Sequence, residues 1–225
     1  MTRVILIGNS ITASILYEYL RQDDRYEVCG LAVDDVFAAG GSIAELPCVG
    51  LSQLRETFPP GAYRAIIAVG YAELNRVRES LFQRLKALGY GVETYVHRDA
   101  KIYTQHPLGE GCIVLPSAIL EPHVRLGANT MVWCNATLAH HSTVAEHCWI
   151  ATGCVIAGQA RVMRNSFLGV NSTIVNEVTV EEFNIVGAGA LISKNTKAQA
   201  VHLARSAEPF RYSADEYTKY FWGAP

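Results

Sequence analysis

An aliphatic residue recurs at every sixth position from Leu108 to Ile192, through Val114, Leu120, Leu126, Val132, Leu138, Val144, Ile150, Ile156, Val162, Leu168, Ile174, Val180 and Val186, without one insertion. A period of six matches neither the 3.6-residue repeat of a helix nor the two-residue repeat of a lone strand, so the chain must turn once per hexad. Four positions after each aliphatic stand mostly small residues, among them Cys112, Ala118, Thr130, Ala136, Ser142, Cys148, Cys154, Ala160, Ser166, Ser172 and Ala190. Both sets are predicted to point into one narrow interior. Three positions after the aliphatic stand Gly111, Asn129, Asn135, Gly153, Asn165, Asn171, Gly189 and Asn195, with His123, His141 and His147 in the same register. These residue types tolerate positive φ best, which marks them as corners. Hexads closed in this way form a parallel β-helix, each coil pairing its backbone with the coils above and below at about 4.8 Å.

The first hundred residues follow another pattern, apolar runs alternating with amphipathic stretches, which predicts a small Rossmann-like α/β unit with a parallel sheet. Val4–Ile7 reads as a strand, Ile11–Arg21 as a helix and Val28–Val33 as a second buried strand. Gly40-Gly41 marks a loop, Ala65–Val69 a third strand, Glu73–Leu88 a helix and Val92–Val96 a short closing strand. Near the end, Ser213 and Glu216 form a capping-box pattern ahead of Tyr217, Tyr220 and Phe221, which predicts a short helical tail covering apolar surface.

Half of the 225 residues are hydrophobic, so a large core can form and disorder is not the main state. With 19 basic and 21 acidic residues the balance is too even for charge-driven binding to nucleic acid or anionic lipid. The apolar stretch from Val4 to Gly8 is too short for a signal segment or membrane span, and six cysteines without a CxxC pair suit a reducing compartment; both point to the cytoplasm. The turn Gly8-Asn9-Ser10-Ile11-Thr12-Ala13 lacks the second glycine of a dinucleotide fingerprint, so NAD is not expected.

The segments Val4-Ile-Leu-Ile-Gly-Asn-Ser10, Ile66-Ile-Ala-Val-Gly70, Tyr95-Val-His97, Phe167-Leu-Gly-Val-Asn-Ser172 and Gly187-Ala-Gly-Ala190, together with the hexads, resemble the left-handed β-helix, hexapeptide-repeat acyltransferases. The preceding α/β domain narrows the resemblance to nucleotide-amino-sugar N-acetyltransferases of the PglD and NeuD type. That resemblance implies triangular 18-residue coils, a homotrimer, acetyl-CoA as co-substrate, a nucleotide-linked amino sugar as acceptor and no metal. It divides the chain into a nucleotide-sugar-binding domain (1–98), a left-handed β-helix acetyltransferase domain (99–197) and a C-terminal tail (198–225).

His140 aligns with the family's catalytic base, and it also lies two residues after Leu138, where no positive-φ corner requires it. A thioester is already activated, so the reaction needs a neutral amine, a base and stabilisation of the developing oxyanion. A histidine, with an ordinary pKa of about 6.5, is mostly neutral near pH 7 and can accept the proton. Gly158, eighteen residues beyond His140, is expected to stack on it and offer its N–H to the oxyanion. His141 stands where the relatives carry Glu or Asp and is a possible orienter. The resemblance further implies acetyl-CoA contacts from Val170, Gly187 and Ala188, with Trp149 at the position of a histidine near the acetyl group; the basic residues Lys194, Lys197 and Arg205, after the last coil, are candidates to offer charge to the CoA phosphates. For the nucleotide sugar it implies Gly8, Ser10, Ile11, Thr12, Asp34, Asp35 and Gly70. Three other readings stay open: sugar O-acetylation, a carbonic-anhydrase-like hydratase with a metal on His123 and His141, and a non-catalytic scaffold.

Overall fold

The computed structural model describes residues 1–38 and 43–223; the expected loop at Gly40-Gly41 lies outside them. The N-terminal unit runs β1 (Thr2–Ile7), α1 (Ile11–Leu20), β2 (Tyr26–Val33), β3 (Cys48–Gly50), α2 (Leu54–Thr57), β4 (Arg64–Ile67) and α3 (Arg76–Ala87). Its strands form a parallel sheet in the order β3-β2-β1-β4. Val4, Ile5, Leu6 and Ile7 are buried on both faces, which is why β1 reads as an unbroken apolar run. The three-residue strand β3, paired through Leu31 and Cys48, was too short to stand out in the sequence.

The expected closing strand Val92–Val96 divides between two structures. Val92 bridges Ala65 in the α/β sheet. Tyr95 and Val96 instead pair with Ile113 and Val114, eighteen positions on, and are the first rung of the repeat domain. Their spacing from Ile113 already obeys the pitch of the coils, and this outweighs their nearness in sequence to the sheet.

From there the chain winds as a left-handed parallel β-helix whose two-residue strands stack in three sheets, one per face. On one face Ile113, Met131, Trp149, Phe167 and Ile185 lie in register. Each coil donates amides to carbonyls of the next, as Met131 N does to Cys148 O at 2.9 Å and Trp149 N to Ser166 O at 3.0 Å. The aliphatic ladder is sealed inside; Leu120, Leu138, Val132, Ile150 and Leu168 have no exposed surface.

The small interior residues have a second use. Cys112 Sγ donates to Gly127 O, Thr130 Oγ1 to Ala145 O, Cys148 Sγ to Met163 O, Cys154 Sγ to Gly169 O and Ser166 Oγ to Glu181 O, each a link of fifteen residues. Carbonyls at the bends, which the strand ladders leave over, are satisfied from within the prism. Burial pushes the Cys112 and Cys148 thiols up to about 12, and all six cysteines are free.

Every sixth residue from Gly111 to Gly189 has positive φ. The ladder therefore includes Ser117, Gln159, Glu177 and Phe183, whose identities gave no signal. Phe183 compensates by lying between two guanidinium groups, with Arg76 at 4.4 Å and Arg164 at 5.2 Å from its ring centre. Asn195, expected as a further corner, is not one. The face carrying Thr179–Val180 ends there, and Asn195 Oδ1 and Thr196 Oγ1 accept from Thr179 N and Glu181 N in place of the carbonyls of a next strand. The chain makes one more rung, Val201–His202 against Ile185–Val186, before leaving the prism.

In the tail, α4 (Ala214–Tyr217) starts with the expected capping box, Ser213 Oγ accepting from Glu216 N. It buries no residue and so does not cover apolar surface as expected; its rings pack on one another, Tyr217 lying 4.6 Å from Phe221.

A left-handed backbone costs an ordinary L-residue about 1 kcal/mol or more, and Glu177 at φ 64 forms no ion pair among the described residues to offset it. Glu177→Gly is therefore expected to raise the unfolding free energy by up to about 1 kcal/mol, measured by urea denaturation.

Candidate active site

His140 and His141 occupy the edge between the strands Thr137–Leu138 and Thr143–Val144. His141 N donates to Pro122 O at 3.1 Å and Gln159 N to His140 O at 3.0 Å, which locks this corner between its neighbours. Gly158 consequently lies on the His140 ring: a Cβ there would fall 2.6 Å from Cε1 and 2.7 Å from Nε2. Any other residue at 158 would occupy the place of the imidazole. His140 N donates to Glu121 Oε2 at 2.8 Å. One coil higher the equivalent pair is Gly158 and Ala139; alanine carries no acceptor, and the Gly158 N–H meets none among the described residues.

The Nδ1 atoms of His140 and His141 are 3.3 Å apart, so one proton serves both. The arrangement that leaves His140 Nε2 basic places that proton on His140 Nδ1, with His141 Nδ1 accepting and its own proton on Nε2. An exposed base nitrogen and a free amide then share one spot on the prism edge.

His123 stacks on His141 with ring centres 4.5 Å apart and planes at 30°. Stacked rings aim their in-plane lone pairs side by side rather than at one point, and among the described residues no group of three or more His, Cys, Asp or Glu is placed to hold a metal ion. The His123–His141 pair of the alternative metal reading is thus a stack of rings that, among the described residues, no further ligand joins.

Val170 and Ala188, one pitch apart, lie on a different edge, where Gly189 N donates to Val170 O at 2.8 Å. Trp149 lies on neither edge. Trp149 is 4% exposed, its ring meeting Tyr71 of the α/β domain at 5.1 Å and Trp133 of the β-helix at 5.5 Å. The residue expected to touch the acetyl group therefore packs between domains.

Within the α/β domain, Gly8, Ser10 and Asp34 line a cavity of about 230 Å³ with Ile7, Val33 and Leu81. It opens at the carboxyl ends of β1 and β2, the usual ligand position in such sheets. Gly8 has φ 130 and a Cβ there would lie 2.8 Å from Ala68 O, so only glycine lets the chain pass from β1 to α1. The Ser10 hydroxyl is not spent on capping α1. Asp34 pairs with Arg84 at 2.7 Å, both about half exposed. Asp35 points elsewhere: its Oδ1 accepts from Ser52 Oγ at 2.8 Å and Ser52 N at 3.1 Å, bonds that hold its carboxyl below the usual range and tie it to the turn after β3. Ile11 is exposed, and Thr12 Oγ1 faces Gly70, outside the cavity lining.

The residue that joins the domains, Arg78, gave no functional signal, although its spacing with Leu81 and Leu85 on α3 placed an arginine on the buried face. It is completely enclosed. Its guanidinium donates to Ile67 O, Val69 O and Asn129 Oδ1 at 3.1, 2.9 and 3.1 Å, and burial lowers its pKa to about 10, leaving it charged at neutral pH. Asn129 passes the link to His147 Nδ1 at 2.9 Å, which sets the His147 proton on Nε2, the atom 4.0 Å from Glu79. Glu79 in turn accepts from Asn165 Nδ2 at 3.0 Å.

No family model and no curated protein sequence matches the chain. Solved structures do. The acetyltransferase domain of PglB from Neisseria gonorrhoeae is 23% identical, with a TM-score of 0.79 over 89% of this chain and 96% of that one. PerB from Caulobacter crescentus, in complex with CoA and GDP-perosamine, is 22% identical, with a TM-score of 0.79 over 89% and 93%. WeeI from Acinetobacter baumannii is 19% identical, with a TM-score of 0.65 over 89% and 96%. At these identities the likeness establishes the architecture, an α/β domain followed by a β-helix.

Burial lowers the His147 pKa, whereas the unfolded chain takes up the proton near its ordinary 6.5. The neutral, buried form thus contributes stability above that value which is lost as pH falls below it. Unfolding free energy measured in urea is expected to decline between pH 7.5 and 5.5, and His147→Gln to flatten that decline.

Proposed function

We propose that this protein is an acetyl-CoA-dependent N-acetyltransferase acting on a nucleotide-linked amino sugar, working in the cytoplasm as a homotrimer. The observation that carries the reading is the His140 imidazole lying against Gly158, whose N–H has no acceptor among the described residues. The acceptor amine attacks the thioester carbonyl, a C–N bond forms and the C–S bond breaks. His140 Nε2 takes the proton from the amine nitrogen and returns it to the departing thiolate, while the Gly158 amide donates to the carbonyl oxygen as charge develops on it. His141 Nδ1 accepts from the Nδ1–H of the His140 imidazolium.

Three further features support the substrates. The cavity of the α/β domain pairs an apolar wall with the Ser10 hydroxyl and the Asp34 carboxylate, a setting suited to a nucleoside and its hydroxyls. PerB, similar over nearly its whole length, is described in complex with CoA and GDP-perosamine, and the PglB domain in complex with acetyl coenzyme A. Val170, Gly187 and Ala188 line an edge other than that of His140, so thioester and base are brought together by two copies of the chain. The cytoplasmic assignment rests on the free thiols and on the acetyl-CoA requirement; no described helix is long and apolar enough to cross a membrane. The working division is a substrate domain up to about residue 94, an acetyltransferase β-helix from Tyr95–Val96 to Val201–His202, and the tail beyond it.

His140→Ala is expected to lower kcat for nucleotide-amino-sugar acetylation by about two decades or more, with acetyl-CoA affinity within threefold of the parent, by thiol-release kinetics and calorimetry. Unchanged turnover would refute the reading. Gly158→Ala strains no backbone, because φ at 158 is not positive, and instead pushes aside a movable side chain. A thermal midpoint within a few degrees of the parent together with a loss of kcat of tenfold or more is the expected pair of results.

A further inference from the structure

The proposed reaction makes His140 a cation for part of each cycle, and the ring beside it is another imidazole. A neutral His141 fixes the tautomer of His140 but supplies no negative charge. A carboxylate does reach this corner from the coil below: Glu121 Oε2 accepts from the backbone N–H of His140 at 2.8 Å. Nineteen residues separate the two, so the contact exists only because the coils are in register. Among the described residues Glu121 forms no ion pair with a Lys, Arg or His.

The contact also has no counterpart higher in the stack. Ala139 is the residue one pitch above Glu121, and the amide it faces, that of Gly158, is left without an acceptor. Within two successive coils one amide is held by a carboxylate and the next is open. The first assignment steadies the base and the second leaves a donor for the carbonyl oxygen.

We infer that Glu121 is a positioning residue for His140: its carboxylate anchors the His140 corner through the amide and provides the fixed negative charge that His141 cannot. This rests on the acetyltransferase reading above for its catalytic consequence, though not for the contact itself. A charge-assisted hydrogen bond is about twice as strong as a neutral one, so the amide contact holds the corner that carries the imidazole. The ionisable groups around His140 are His141 on its own corner and Glu121 and His123 one coil below; the coil above presents Gly158 and Gln159, which carry no charge.

The test compares Glu121→Gln, which keeps an acceptor without the charge, with Glu121→Ala, which loses both, in the full-length protein. The first readout is the His140 amide resonance in protein labelled with 15N-histidine, assigned by its loss in His140→Asn. It is expected to lie downfield in the parent, to move upfield in Glu121→Gln and further in Glu121→Ala. The second is kinetics with acetyl-CoA and nucleotide-linked amino sugars. Glu121→Ala is expected to lower kcat tenfold or more with KM for both substrates within threefold. Glu121→Gln, which keeps an acceptor for the amide, is expected to recover part of that loss. An amide resonance unmoved by both substitutions, or a kcat within twofold of the parent in Glu121→Ala, overturns the inference. Should the parent acetylate no amino sugar, the reaction assignment falls while the amide resonance alone decides the role of Glu121.

Discussion

Parallel backbone pairing between coils is the interaction on which the rest of the molecule depends. Each turn of the prism hands its amides to the turn above, and the register never slips between Tyr95–Val96 and Val201–His202 except where the final coil is shortened. Register converts separation along the chain into height. Residues eighteen apart become stacked neighbours, which is how Gly158 comes to lie on His140, and residues nineteen apart, Glu121 and His140, can share a hydrogen bond. A one-residue slip would turn the aliphatic ladder outward and separate these pairs at once, so the core and the site are held by the same constraint. The thiol and hydroxyl ladder adds to it, because side chains at fixed height seek carbonyls fifteen residues on.

The junction between the domains obeys a different logic. An arginine enclosed on all sides and bonded only to neutral oxygens is a poor source of net stability, since the lost hydration of the cation offsets what the bonds return. What the bonds provide is direction. Two of them hold the carbonyls of Ile67 and Val69 at the end of β4, beside the cavity wall, and the third reaches Asn129 on the β-helix. The Glu73-Leu74-Asn75 run, three successive residues with positive φ, leads into α3 and sets the Asn75 side chain against Ser166 O. A strained entry to the helix is tolerated where surrounding contacts over-determine it, and here those contacts come from the partner domain. The α/β cavity and the β-helix are thereby fixed relative to one another by polar geometry rather than by apolar area alone.

How much of this was legible follows from the range of each interaction. The aliphatic hexads and the Gly, Asn and His corners repeat locally, so the β-helix stood plainly in the sequence, as did Gly158 above His140 once a pitch of eighteen was supplied. Ser117, Gln159, Glu177 and Phe183 stayed hidden because their side chains do not favour the conformation that the stack imposes on them. Asn195 misled because its residue type fitted the corner while the face it would have followed had ended. Asp35 and Trp149 were placed by alignment of type and position, and in both cases a partner distant in sequence decided otherwise: Ser52 for the carboxylate, Tyr71 and Trp133 for the indole. Arg78 and Glu121 act through contacts at separations of 51 and 19 residues, beyond what local pattern encodes.

The prism has three faces and a separate use for each. One is covered by the α/β domain, which buries Trp149 and His147. A second begins with Lys101 and above it presents Ile119, Thr137, Val155, Thr173 and Leu191 outward, side chains that are apolar or small. The third begins with Arg125 and includes Arg161. This second face separates the edge that holds His140 from the edge that holds Val170 and Ala188. Two edges of one rigid prism cannot approach each other. In the homotrimer proposed above, association through this face would set the His140 edge of one copy beside the other edge of the next. The side-chain chemistry of the outward positions, which the hexad rule leaves free, therefore bears on the assembly as directly as the inward positions bear on the fold.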